Sequence, residues 1–344
     1  MLAIRRRGFL ALLGGGLALP RWLSAEHHVV SADPLVVEFD LKSLRGLHTS
    51  VEDFYVRNHF DAPLAAGQAV LQVEGEVERP CRLAPADLAP FPERDLGVVL
   101  ECAGDGVGPM GLVSNGSWAG WPLAAVLSSA RPTRAAAHLH LFGRDGYARS
   151  VPMERALEGG VLVTHLNQRP LTRQHGAPWR ALFPGWYGMD SVKWLERMVV
   201  SAVPLPSRDG SYQELVQGAE GELSRQPLPR VQVKSVIVDP AEGAVLRPGL
   251  TPIHGLAWSG EGTISSVEVS WDGGRNWLPA RVGEGKDFNW TLWHAAVELT
   301  QPGAVELVSR ARDIKGFAQP ARRDPGRLDG YANNWYHRVR CVVA

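Results

Sequence analysis

The chain has 344 residues, room for about two domains of ordinary size, with 45% hydrophobic and 21% charged residues. Lys+Arg and Asp+Glu are equal at 36 each, so no net charge argues for a nucleic-acid partner or an anionic membrane. Three cysteines, Cys81, Cys102 and Cys341, are too few for a disulfide scaffold and leave a single Cys81–Cys341 bond as a possible pairing.

Residues 1–25 read as an export signal. Arg5, Arg6 and Arg7 precede Gly8-Phe9-Leu10, an apolar glycine-rich run follows to Leu19, and Leu23-Ser24-Ala25 offers a small-residue cleavage site. Two arginines before x-Phe-Leu fit the twin-arginine route, which predicts a periplasmic protein exported already folded, often around a cofactor. The alternative is an uncleaved anchor, although the apolar run is short and glycine-rich for a spanning helix. Residues 26–50 read as a polar lead-in.

Residues 51–204 mix strands with short helices. The patterns predict strands over 69–77, 97–101 and 137–142, and helices over 85–89, 121–129 and 152–158. Irregular mixing of this kind predicts an α+β domain. Gly104-x-Gly106-x-Gly108 follows a strand but lacks the helix and acidic residue of a dinucleotide fingerprint. Residues 205–230, rich in Pro, Gly, Ser, Gln and Glu, read as a linker. Beyond them, 231–344 carry short strands predicted at 231–238, 251–258, 263–271, 276–281, 288–297, 304–312 and 335–343. Asp272-Gly273-Gly274 between two such runs is a hairpin signal. Seven short strands predict an immunoglobulin-like all-β sandwich, without the cysteine and tryptophan spacing of antibody domains.

Three segments carry chemistry. Cys102 ends the apolar strand Gly97–Glu101 and is followed by a sharp glycine turn, where a bulky ligand can approach the backbone. A thiolate there suits a soft or sulfur-loving metal, while the commoner fate of a lone thiol is a structural place in the core. His175 to Leu195 places one His and the cations Arg180 and Lys193 among several glycines, a loop composition that turns backbone amides towards an anion or simply forms a solvated basic loop. Tyr55-Val56-Arg57-Asn58-His59 adds another Arg and His beside an amide.

Together these segments resemble the sulfite-oxidase family of molybdopterin oxidoreductases. The resemblance lies in Tyr-Val-Arg-Asn-His at 55–59, Leu-Glu-Cys-Ala-Gly at 100–104, and His-Gly-x-Pro-x-Arg followed by Pro-Gly-x-x-Gly-x-x-Ser-Val-Lys-Trp-Leu at 175–195. It extends through Arg149 to Leu157 and, in the C-terminal half, through Val267 to Trp277 and Gly330-Tyr331-Ala332-Asn333-Asn334, which are similar to the family's dimerisation sandwich. The resemblance implies molybdenum held by a single molybdopterin and one protein cysteine, Cys102. It implies that Tyr55, Arg57, Asn58 and His59 line the pterin and that His175, Arg180, Ser191, Val192 and Lys193 hold its phosphate and ring edges. Asp145 aligns less closely as a further contact. It also implies a homodimer formed through the C-terminal domain. The sequence has no Cys-x-x-Cys-His heme-attachment motif, so a heme-free enzyme is expected to exchange electrons with a separate carrier such as a c-type cytochrome.

Three departures bear on the substrate. The family carries an amide and then an arginine after Cys-Ala-Gly, where this chain has Asp105 and, at 106–107, Gly106-Val107; losing the Arg and adding a carboxylate is expected to disfavour sulfite. The connection from Gly108 to Ser114 is short, which is expected to open the substrate mouth. Thr164 stands where the family has an active-site tyrosine, with His165 beside it as a substitute proton carrier or a surface histidine. Arg144, Arg149, Arg169 and Arg173 are candidates to restore positive charge. The expectation is oxygen-atom transfer on a small substrate, sulfite-oxidase-like; the alternatives are a sulfoxide or N-oxide reductase, or a cofactor-binding protein without turnover.

Overall fold

A computed structural model of the chain describes residues 28–61, 63, 69–106, 110–206, 212–286 and 288–344; the expected export signal at 1–25 lies outside them. The three predicted helices are present at Pro85–Leu88, Leu123–Ser128 and Met153–Gly159. The first opens with proline in its first turn, and the Asp87 side chain accepts a hydrogen bond from the Ala84 amide at 2.8 Å. These are short elements in a molecule that is mostly β, so the α+β expectation holds with little α.

Two five-stranded sheets form the larger unit. In the first, Arg94–Glu101, Val113–Pro122, Val161–Leu166 and Arg169–Pro170 lie side by side, and Arg180–Leu182 also pairs with Val161–Leu166. In the second the order is Cys81–Leu83, Leu71–Gly75, Leu195–Ser201, His138–Gly143 and Ala148–Pro152. Leu96, Val98, Val99 and Leu100 are all buried, so the strand ending at Cys102 is covered on both faces; such a strand reads as a continuous apolar run rather than an alternation.

Two segments differ from expectation. The lead-in is structured: His28–Ala32 and Leu35–Glu38 form a hairpin, and Val56–Arg57 adds a third strand. Leu35, Val36 and Val37 are buried there, and the added strand fixes Arg57. The linker contains the hairpin Gln213–Gln217 with Leu223–Pro227. It is tied down by charge: Arg327 pairs with Glu214 at 2.5 Å and with Asp329 at 2.8 Å, and the Leu215 amide donates to Asp329 at 3.0 Å. No apolar pattern announced it because ion pairs, rather than a buried face, hold it.

The C-terminal unit has a four-stranded and a five-stranded sheet whose inner faces share one core, including Ile237, Ile253 and Val297 from one and Val267, Leu307 and Val339 from the other. Strands Gly249–Trp258 and His337–Val343 alternate buried and exposed residues over most of their length. The predicted hairpin is present, with Gly273 and Gly274 at φ +76° and +97° and Asp272 accepting from the Arg275 and Asn276 amides at 2.9 Å. The predicted strand 276–281 is broken into Leu278–Pro279 and Arg281–Val282. All three cysteines are free, so no Cys81–Cys341 bond forms.

The two units share an apolar core in which Val98, Leu100 and Trp118 meet Val231, Val236, Leu256, Trp258 and Trp290. Burial of each such side chain contributes about 1.5–3 kcal/mol. The Arg94–Glu101 strand is also bridged by Phe288: the Val99 amide donates to its carbonyl at 2.8 Å, and its own amide donates to Gly97 at 3.2 Å. Gly97 permits this approach, since a Cβ there would lie 2.0 Å from the Asn289 side chain.

Candidate active site

Cys102 lines a cavity together with Tyr55, Arg57, His175, Arg180 and Lys193. The segment around it is fixed by backbone bonds: its amide donates to Leu112 at 2.8 Å, and the Asp105 amide donates back to its carbonyl at 2.9 Å. Burial pushes the thiol pKa up, with the Gly104 amide and the Arg57 charge opposing. The free thiol is therefore protonated at neutral pH, and a metal bound there displaces that proton.

The cavity lining gathers cations. Arg57, Arg180 and Lys193 all line the cavity, with Asp145 as a carboxylate among them. Burial lowers the Arg180 pKa to about 10. Burial, then the positive charges of Arg180 and Arg57, hold the Lys193 ammonium well below its usual value, while Asp145 opposes. Burial also pushes the Asp145 carboxyl up. Fixed backbone acceptors aim these groups: Arg180 Nη2 donates to the Ser191 carbonyl at 2.7 Å, and Lys193 Nζ donates to the Gln174 carbonyl at 3.1 Å and to Asn58 Oδ1. His175 Nε2 lies 3.0 Å from the Val51 carbonyl, which can only accept, so that nitrogen carries the proton. Burial, followed by the Lys193 charge, lowers the His175 pKa to about 3, so the ring is neutral. Gly176 has φ +102°, and a Cβ there would lie 3.0 Å from Lys193, so this turn takes glycine.

This wall fits a buried anion with a polar ring system. Cations outnumber carboxylates in the cavity, and among the described residues the buried Asn58 Nδ2, Gln174 Oε1 and Arg180 Nε have no hydrogen-bond partner. Groups so placed normally find partners, and a pterin phosphate supplies acceptors for the donors. Among the described residues no cluster of three His, Cys, Asp or Glu side chains converges as metal ligands. A metal at Cys102 therefore draws most of its donors from elsewhere, as a dithiolene provides.

Ten of the eleven residues singled out in the sequence line this one cavity: Tyr55, Arg57, His59, Cys102, Asp145, His175, Arg180, Ser191, Val192 and Lys193. The eleventh, Asn58, is buried next to it and holds Lys193. Sequence reasoning missed Tyr147 and Tyr212 on the wall. Tyr147 donates to the Met189 carbonyl at 2.9 Å, and Tyr212 packs against Tyr331 at 5.4 Å between ring centroids. Tyr147 had a signal in its place beside Asp145; Tyr212 had none, lying in a segment read as linker.

Three substrate expectations change. Asp105 does not line the pocket: it is buried, and its Oδ1 accepts from the Gly111 and Leu112 amides at 3.1 and 2.9 Å. The phenol missing at Thr164 is matched by two from other segments, while Thr164 bonds to His165 Nδ1 at 2.9 Å and neither is among the cavity-lining residues. None of the four candidate arginines is among the cavity-lining residues; Arg149 lies 5.4 Å from the Tyr212 ring centre and pairs with Asp190 at 2.9 Å. Arg169 pairs with Glu52 and Arg173 donates to the Pro63 carbonyl at 2.7 Å. Val107 and the connection through 109 lie outside the described residues.

Residues 59–208 match the family model described as oxidoreductase molybdopterin binding domain, and 225–344 match the Mo-co oxidoreductase dimerisation domain. Sulfite oxidase of Gallus gallus is 31% identical over 330 residues, covering 84% of this chain and 72% of that protein. Mitochondrial sulfite oxidase of Homo sapiens is 32% identical over 332 residues, covering 85% of this chain and 61% of that protein. The chain thus spans about three fifths to three quarters of these relatives. The sulfane dehydrogenase SoxCD from Paracoccus pantotrophus superposes with a TM-score of 0.82 at 28% identity, covering 98% of this chain and 92% of that one. With the ligand cavity and both domain matches in agreement, the chain belongs to the sulfite oxidase family of molybdopterin-dependent oxidoreductases.

Proposed function

We propose that this chain oxidises a small anionic sulfur compound, with Cys102 as the single protein ligand to molybdenum carried on one molybdopterin. The observation that carries this reading is the shared cavity, which the Cys102 thiol lines together with Arg57, Arg180 and Lys193. When bound, the cofactor supplies two-electron redox chemistry and oxygen-atom transfer with water as the source. Arg180 and Lys193 would anchor its phosphate, with Asn58 holding Lys193 in place. His175, neutral and donating to Val51, orients the loop that carries them. Arg57 places a positive charge near Cys102 for an anionic substrate. Tyr147 and Tyr212 exclude water and offer phenols for proton transfer.

Sulfite is the first substrate to test, because the curated relatives are sulfite oxidases. Sulfane sulfur is the second, favoured by the likeness to a sulfane dehydrogenase and by the aromatic wall that Tyr212 and Tyr331 build beside the cavity. The C-terminal unit is read as an immunoglobulin-like sandwich that forms a homodimer, and electrons pass to a separate carrier such as a c-type cytochrome. The twin-arginine pattern at Arg5–Arg7 supports a periplasmic location. Metal analysis of exported protein, with a substrate panel and an artificial acceptor, tests the whole. One molybdenum per chain and oxidation of sulfite or a sulfane substrate are expected. Loaded protein that oxidises neither, but reduces a sulfoxide or N-oxide with a dye donor, would reverse the proposed direction.

A further inference from the structure

Beside Cys102 in sequence, among residues that do not line the cavity, three buried charges meet. Glu101 precedes the cysteine and Asp105 follows it by three residues, and Lys234 of the C-terminal unit reaches both. Lys234 Nζ lies 2.5 Å from Glu101 Oε1 and 3.7 Å from Asp105 Oδ2, an ion-pair rather than a hydrogen-bond distance. The three side chains are 4%, 1% and 1% exposed. Trp258, also C-terminal, donates to Glu101 Oε2 at 2.8 Å. Asp105 uses its other oxygen on the Gly111 and Leu112 amides, and Leu112 in turn accepts from the Cys102 amide.

The C-terminal unit holds this turn by its backbone as well. The Ala332 amide donates to the Ala103 carbonyl at 2.8 Å, and Asn333 Nδ2 donates to the Asp105 carbonyl at 3.1 Å. Gly106 leaves the turn at φ +83°, and a Cβ there would lie 3.4 Å from Lys234 Nζ. Stability alone gives little reason for such a cluster, since a buried ion pair often contributes no more than an apolar replacement of the same shape. Its place on both sides of Cys102 gives another reason.

We infer that Lys234 is a positioning residue for Cys102: by clamping Glu101 and Asp105, the C-terminal unit sets where the thiolate points into the cofactor cavity. This rests on Cys102 being the metal ligand, which Cys102→Ser tests separately. Supporting shells fix ligand orientation, and their loss typically changes activity by about 10–100-fold.

The test compares full-length wild type, Lys234→Met and the isosteric Asp105→Asn, each cofactor-loaded and cofactor-free. At equal molybdenum content, Lys234→Met is expected to lose about tenfold or more in kcat with KM within about twofold, and its Mo(V) electron paramagnetic resonance signal is expected to shift. In cofactor-free protein, amide hydrogen exchange over 101–112 is expected to quicken while the rest of the large unit is unchanged. Should Lys234→Met not fold, Asp105→Asn decides the question through the same spectrum and exchange window. A wild-type spectrum and wild-type kcat per molybdenum in the folded variants would overturn the inference. So would a loss confined to thermal stability. If Cys102→Ser keeps its metal and its activity, the ligand reading fails instead, whatever the exchange data show.

Discussion

Two charged regions lie near Cys102, one lining the cavity and one outside its lining, and they are built differently. The cavity wall holds Arg57, Arg180 and Lys193 with Asp145 among them, and it leaves buried donors and an acceptor unpartnered. The cluster beside the cysteine in sequence sets one lysine against two carboxylates, with a tryptophan and two amides completing most of the set. The first carries an excess of one sign, which burial penalises unless an anion arrives. The second sets opposite charges against each other within the protein and serves as a scaffold. An excess of buried positive charge therefore marks the ligand side, and paired opposite charges mark the support.

The largest expected effect falls on the cysteine itself. Cys102→Ser should lower turnover on the order of 10³-fold or more, given the several kcal/mol that metal-assisted chemistry supplies, while circular dichroism shows an intact fold. Next is a pH effect on the cavity side. His175 drops from 6.5 to about 3 on folding, so it binds fewer protons folded than unfolded. Above pH 6.5 the ring is neutral folded and unfolded; as pH falls towards 3 the unfolded chain takes up a proton that the folded one excludes, so stability drops by several kcal/mol at most. Denaturant titrations of cofactor-free wild type and His175→Asn across that window should diverge, with the variant the less acid-sensitive.

Lys193→Met and Trp258→Phe separate the two regions most directly. The first is expected to weaken cofactor retention about 10–100-fold, measured as molybdenum remaining after dialysis. It should cost the cofactor-free protein no more than about 1 kcal/mol, because relief of cation repulsion offsets lost hydrogen bonds. Trp258→Phe strips a donor from a buried carboxylate and should destabilise loaded and cofactor-free protein alike by about 1.5–3 kcal/mol. If Lys193→Met instead destabilised both forms equally, the contrast between the regions would collapse. The smallest effect is expected at the exposed Arg169–Glu52 pair. Arg169→Ala should shift stability by less than about 1 kcal/mol and leave KM for sulfite unchanged.

Local patterns explain which parts could be read in advance. The strand before Cys102 carries an apolar run from Leu96 to Leu100, the Asp272-Gly273-Gly274 turn needs positive φ, and the glycine-rich loop at 175–193 brings cations and backbone together in one segment. Each feature is a property of neighbouring residues. The hairpin inside the supposed linker could not be read this way, because Arg327 holds it from more than a hundred residues away. Asp105 was misplaced for the same reason: its type suggested a pocket carboxylate, and only the fold aims it at Lys234.

By itself, then, the order of residues determined the cysteine ligand candidate, the candidate anion loop and the change from a mixed unit to an all-β one, since each depends on short-range spacing and backbone preference. Tertiary structure decided which charges line the cavity and which do not, that Tyr147 and Tyr212 line it while Thr164 does not, and that Lys234 crosses from the second unit to the cysteine turn. Those outcomes depend on contacts between residues far apart in the chain, where burial makes pairing or its lack count for several kcal/mol.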